Sequence, residues 1–149
     1  MATFRNDPYA AFNFIVSGDG LDGASVQAGF AEISGLDRGV GLLRYRAGND
    51  KTLRPRLYAG LGTPATVTLK RGVIGDLSLH PWLATSLGGN GEPRNLVIAL
   101  QSEDRSAIAQ SWKLRGALPV RIEGPALDAM ANEVAIETLV LAVEAIEVE

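Results

Sequence analysis

Cysteine is absent from this chain of 149 residues, which excludes disulfide staples and thiolate metal sites. That absence suits a reducing compartment, where disulfides would not persist. Histidine occurs once, at His80, so two-histidine zinc motifs are excluded as well. No run approaches the ~18 consecutive apolar residues of a membrane span, and no membrane anchor is expected. The start, Met1-Ala2-Thr3-Phe4-Arg5-Asn6-Asp7-Pro8, lacks the apolar stretch of a signal peptide. The expectation is a protein made and assembled in the cytoplasm. An excess of positive charge is missing too: 14 Lys and Arg against 17 Asp and Glu give a formal −3. Direct nucleic-acid binding as a main activity gains no support from that balance.

What is present is a series of short β-branched segments separated by glycine-rich punctuation, which favours a mainly β fold in a single domain, 1–149. Phe12-Asn13-Phe14-Ile15-Val16 alternates, with Phe12, Phe14 and Val16 on one face. Gly18-Asp19-Gly20-Leu21-Asp22-Gly23 reads as a hairpin loop and Val26 to Leu36 as the return strand. Val40 to Arg46 is a third extended segment, with Leu43 and Tyr45 on one face. Residues 47–62 carry Gly48, Asn49, Asp50, Pro55, Gly60 and Gly62 and read as a long polar loop, a kind of segment that is usually functional. Around it Arg46, Lys51, Arg54 and Arg56 face a single acid.

Ala65 to Val73 returns to strand. Leu77 to Leu87 is the helix candidate: Leu79, Trp82, Leu83 and Leu87 share one face, and Ser78 is placed to cap it. Gly88-Gly89-Asn90-Gly91 stops that helix. Leu96-Val97-Ile98-Ala99-Leu100 is a buried strand that pairs with Ala107 to Leu118 through a turn at Ser102–Arg105. Pro119 to Glu123 continues as strand. Val134 to Glu149 fits helix or strand by spacing; its valine and isoleucine content favours strand, with Val134, Ile136, Val140, Ile146 and Val148 on one face.

Reactive chemistry is hard to assemble. Residues 18–23 match GxGxxG, but a strand rather than a helix follows, and Asp19 and Asp22 would repel a phosphate. Two carboxylates are too few for a calcium loop. His80 stands before Pro81 at a helix start, where a structural role is natural, and no Gly-x-Ser-x-Gly elbow exists. Glu103 with Asp104, and Glu144 with Glu147, look like solvated turns and strand ends. Trp82 and Trp112 fall on apolar faces and read as core anchors. No enzyme activity, cofactor or metal is expected.

Lys70-Arg71-Gly72 within Val67–Val73 is the most informative block. It is preceded by Gly29-Phe30-Ala31-Glu32-Ile33-Ser34-Gly35-Leu36-Asp37 and by Tyr45-Arg46-Ala47-Gly48-Asn49, and followed by Asn132-Glu133-Val134-Ala135-Ile136-Glu137. In this order and spacing, from about Phe12 to about Ile146, the chain resembles the inner tail tube protein family of contractile phage tails and contractile injection systems. Ala59-Gly60-Leu61 stands where many members have Pro-Gly-Leu.

That resemblance implies an antiparallel β-sandwich or small barrel with one flanking helix at about 77–87. Its inner-wall strands would complete a barrel shared between subunits, as hexameric rings stacked into a tube. Residues 47–62 would then form a loop between rings. Arg44, Tyr45, Arg46, Asn49, Lys51, Arg54, Arg56, Lys70 and Arg71 are the candidate subunit contacts. Implied partners are further copies of the chain, a contractile sheath protein, baseplate and terminator proteins, and cargo protein or DNA in the lumen. The particle would be a phage tail or an extracellular or cytoplasmic contractile machine. Two other readings share parts of this pattern: the ring protein of type VI secretion, and a monomeric β-barrel that binds a small ligand.

Overall fold

The computed structural model describes residues 5–18, 30–73, 75 and 77–149. Within them the elements run β1 (Phe14–Gly18), β2 (Phe30–Ser34), β3 (Gly39–Tyr45), β4 (Arg56–Thr63), β5 (Ala65–Gly72), α1 (Leu79–Leu87), β6 (Arg94–Gln101), β7 (Ile108–Glu123), β8 (Ile136–Val143) and β9 (Ala145–Val148). The loop expected at 18–23 lies largely outside the described residues, as does the start of the Val26–Leu36 strand.

All pairings are antiparallel. The main sheet follows the path β1-β6-β7-β8-β5-β2, with β9 on β7. β7 is 16 residues long and serves two layers. Its first part pairs with β6 and β9, and its last part, Leu118–Glu123, pairs with β8. Between these parts Gly116 takes a φ of +64, and a Cβ there would strike the Glu144 carboxylate. Only glycine turns this corner without strain. The sheet thereby folds on itself into a sandwich of β1-β6-β7-β9 against β7-β8-β5-β2.

The core lies between these layers. Val16, Leu96, Ile98, Leu114 and Ile146 from one meet Val67, Leu69, Leu139, Leu141 and Val143 from the other, and Leu79 and Trp82 of α1 join the same cluster. Strand periodicity accounts for this: β5 buries Val67, Leu69 and Arg71 and turns the residues between them outward. Arg71 is 1% exposed. Its charge is tolerated because Glu137 stands directly across the β5–β8 ladder and accepts a hydrogen bond from its Nε.

α1 opens two residues later than the spacing suggests. Ser78 at its start has helical dihedrals and makes no side-chain capping bond. The helix stops where expected: Gly89 adopts a φ of +83, and the Asn90 N–H donates to the Thr85 carbonyl at 3.1 Å. Trp82 is a core anchor as expected; its indole N–H donates to the Glu92 carbonyl at 2.7 Å, and the Arg94 guanidinium lies 4.8 Å from its ring centre. Leu87, placed on the apolar face by its spacing, is exposed.

Three further expectations are corrected. Phe12 precedes β1 and is 70% exposed, because the ladder with β6 begins only at the Phe14–Leu100 pair. Residues 56–63, read as loop on account of their glycines, are strand. The terminal segment is strand but breaks at Glu144, which donates its N–H to the Arg115 carbonyl. That single residue shifts the pattern: Leu139, Leu141 and Val143 face the core before it and Ile146 after it, while Val134 is exposed.

The segment before β1 is clasped to the β6–β7 turn. Arg5 donates from Nη1 and Nη2 to both oxygens of Glu103 and lies over the Tyr9 ring. The Ala10 N–H donates to Glu103 as well. These bonds, the one from Arg5 first, draw the Glu103 carboxyl down from 4.5 to about 2.

Candidate functional site

β3 and β4 form a two-stranded ribbon, separate from the main sheet. It is the outward continuation of the β2–β5 pairing: Ser34 pairs with Thr68, and Gly39 pairs with Thr63 in the same register beyond the break. The break is built from Gly35 and Pro64. Gly35 has a φ of +85, and a Cβ there would fall 2.1 Å from the Thr66 carbonyl oxygen. Pro64 removes a backbone donor from the ladder.

Directly opposed residues share a face in an antiparallel pair. One face of the arm therefore carries Leu43, Tyr45, Arg56 and Tyr58, and the other carries Leu42, Arg44, Leu57 and Ala59. Every residue of β3 is exposed, and so is nearly all of β4. An isolated hairpin is marginal in water, and one with leucines on both faces and two tyrosines on one lacks the burial that would stabilise it. The ribbon is thus a binding element whose two faces both call for cover.

At the tip, Arg46 is committed to its own turn, donating to the carbonyls of Thr52 at 2.8 Å and Asp50 at 2.9 Å. The Ala47 N–H donates to the Asp50 carboxylate at 3.2 Å, closing the turn around Gly48 and the exposed Asn49. Arg44, Lys51, Arg54 and Arg56 form no ion pair among the described residues and project with the exposed Tyr45. Residues 39–63 hold five basic side chains and one acid, a formal +4, which leaves −7 for the rest of a chain whose total is −3.

The other two candidates lie elsewhere. Lys70 faces outward on β5, with its Nζ 3.6 Å from Glu32 of β2. Arg71 is enclosed by its own subunit, so it locks β5 to β8 and presents nothing to a neighbour.

Lys70 belongs to a surface the sequence did not reveal. The outward face of β7-β8-β5-β2 carries Ser34, Thr66, Thr68, Thr138 and Ala142, with Val140 buried among them, following the cross-strand register. Its charges cancel in pairs: Lys70 with Glu32, and Arg121 with Glu123 at 2.8 Å. Among the described residues this layer ends in two open edges, the outer side of β2 and the outer side of Leu118–Glu123. Open strand edges are templates for pairing with another chain.

Nothing comparable is assembled for chemistry. Among the described residues no group of three His, Asp or Glu side chains is placed to hold a metal. His80 is half exposed, with Nε2 4.0 Å from Glu137. A largely apolar cleft of about 360 Å³ is lined by Phe14, Ile33, Leu36, Ile98, Leu100 and Trp112, with Glu32 as its one charged lining residue.

A sandwich with open edges and an arm left uncovered on both faces defines a self-assembling structural subunit. The model of the T4-like virus tail tube protein gp19 family matches residues 10–147, and the chain belongs to that family. It is a tail tube protein. Among solved structures it is similar to a chain of the anti-feeding prophage baseplate: 28% identity, 97% of each chain covered, TM-score 0.78. It is likewise similar to a chain of the sheath–tube complex of the extracellular contractile injection system PVC in its extended state. There the identity is 23%, the TM-score 0.81, and 95% of this chain and 91% of the other are covered. Hcp1 from Flavobacterium johnsoniae shares the fold at 15% identity and a TM-score of 0.56, covering 91% of this chain and 93% of its own. No curated protein sequence matches the chain.

Proposed function

We propose that six copies close edge to edge into a ring, with β2 of one copy pairing along the Leu118–Glu123 edge of the next, and that rings stack into a tube. The observation that carries this reading is the pair of open edges on a layer of four strands. Twenty-four strands spaced ~4.8 Å and tilted ~40° make a backbone circle about 150 Å round, or roughly 48 Å across. Side chains reduce this to a bore of about 40 Å, wide enough for duplex DNA or a small folded protein.

The threonine-rich outward face of that layer would line the bore. With its charges cancelled in pairs it offers cargo of either sign little to adhere to. The tube's part in ejection is then passive: a surrounding sheath drives it forward and cargo moves along its lumen. Resemblance to chains from a sheath–tube complex, a sheath/tube terminator and a baseplate supports a contractile sheath, a terminator and a baseplate as partners. No helix among the described residues is long and apolar enough to cross a membrane. Assembly in the cytoplasm, before a tail or an extracellular particle is completed, is consistent with the absence of cysteine.

The cations of the arm would hold one ring against acids of the next. Negative-stain imaging of the purified protein at high concentration tests the whole reading. Six-fold rings with a bore of about 40 Å, alone or stacked, are expected. A protein that stays monomeric, with no ring at any concentration, would overturn it in favour of a ligand-binding barrel.

A further inference from the structure

The basic, apolar tip of the arm has a counterpart at the opposite end of the same molecule. β4 and β5 run consecutively from Arg56 at the arm tip to Gly72 at the far end of the sandwich. At up to ~3.3 Å per residue this run separates the two ends by as much as ~53 Å. At the far end the Val73 N–H donates to the Ala135 carbonyl at 2.9 Å and anchors the segment 124–135, which joins β7 to β8.

This segment exposes apolar side chains beside acids. Leu127, Met130 and Val134 are all exposed, Met130 at 93%, and Leu127 and Val134 line one hollow. Around them lie Asp128 and Glu133, with no basic partner among the described residues. Asp128 shapes the loop: its Oδ1 accepts the Met130 N–H at 2.9 Å, and its carbonyl accepts the Ala131 N–H at 3.2 Å. The result is an open hollow of about 550 Å³, with Leu127, Asp128, Glu133 and Val134 on its walls.

The arm tip is complementary in each respect. Leu53 projects from it at 88% exposure, flanked by Lys51 and Arg54. We infer that the arm tip of one copy docks into the 124–135 hollow of another, with Leu53 against Leu127 and Val134 and Lys51 and Arg54 facing Asp128 and Glu133. Tip and hollow sit at opposite ends of one subunit, so the contact is heterologous and head to tail, and it propagates along an axis without closing. It rests on the tube reading above and assigns the acids that the arm meets.

The natural lack of cysteine makes the contact directly measurable. Cysteines introduced together as Arg54→Cys and Glu133→Cys should join copies into disulfide-linked ladders in assembled tubes, and far less in dilute unassembled protein. Charge reversal on the tip (Lys51→Glu with Arg54→Glu) or on the hollow (Asp128→Lys with Glu133→Lys) should each cut mean tube length about tenfold. The four changes combined should restore it. All four residues are exposed, so unchanged circular dichroism of the variants separates lost docking from lost folding. Tubes of full length that give no ladder and ignore reversal at Asp128 and Glu133 would overturn this contact and leave the tube standing. A wild-type chain that forms no rings would overturn the tube reading and this contact together.

Discussion

Leu141 and Leu61 both occupy positions in antiparallel strands, yet the first is fully enclosed and the second is 89% exposed. The contrast holds for the regions they represent. The sandwich satisfies itself: its layers cover each other, Arg71 is matched by Glu137, and Trp82 finds a carbonyl for its indole N–H. The arm satisfies almost nothing internally beyond its own ladder and the turn held by Arg46. One region is thus a finished fold, and the other is half of an interface attached to it by a continuous strand register.

The sharpest way to break this comparison is to remove the arm. Replacing residues 40–62 with a short Gly-Asn turn should leave a folded subunit with unchanged tryptophan fluorescence that still closes into single rings, and should abolish stacked tubes in electron micrographs. Tubes that survive the excision would show that the arm is dispensable. A smaller effect distinguishes the two leucines. Leu141→Ala should cost about 2–5 kcal/mol in urea unfolding of the monomer, as a cavity opens in the core. Leu61→Ser should change that stability by less than about 0.5 kcal/mol, yet raise the concentration needed for assembly. Equal losses of stability from the two changes would mean that the arm is buried in its own subunit.

The smallest effect lies at the clasp between Arg5 and Glu103. The carboxyl sits at about 2 in the fold against an ordinary 4.5, so the clasp is fully effective above pH 4.5 and weakens as pH falls toward 2. Asp104 in the same turn is also held at about 2, chiefly by the Ser102 and Ser106 hydroxyls, and titrates in the same window. Hydrogen exchange at the Ala10 amide, which donates to Glu103, should accelerate through that window relative to core amides. Glu103→Gln should make it fast at every pH, while constant protection from pH 5 to 2 would refute the clasp.

The sandwich was largely legible in the sequence because its strands obey simple periodicity. Val67 and Leu69 alternate with outward residues, Leu96–Leu100 is a compact apolar run, and Gly88–Gly91 halts the helix. Arg71 was misplaced because a charged residue on a strand reads as surface; only the register against Glu137 shows that it is enclosed. The arm was half legible. Its basic tip stood out, but Gly60 and Gly62 looked like breakers and hid the alternation of Leu57, Ala59 and Leu61. The two ends of the hollow-and-tip pair are more than sixty residues apart in the chain, so nothing local could connect them. The paired charges Arg121–Glu123 and Lys70–Glu32 were likewise invisible until the strands lay side by side.

β7 belongs to both layers of the sandwich, and β8 with β9 crosses between them a second time. In a plain sandwich, layers can shear because only side chains hold them. Here two peptide struts span the gap, with corners at Gly116 and Glu144, so thrust entering one layer reaches the other through covalent bonds. The stiffness of a column made from such units would then come from the routing of the chain more than from how tightly its interior is filled.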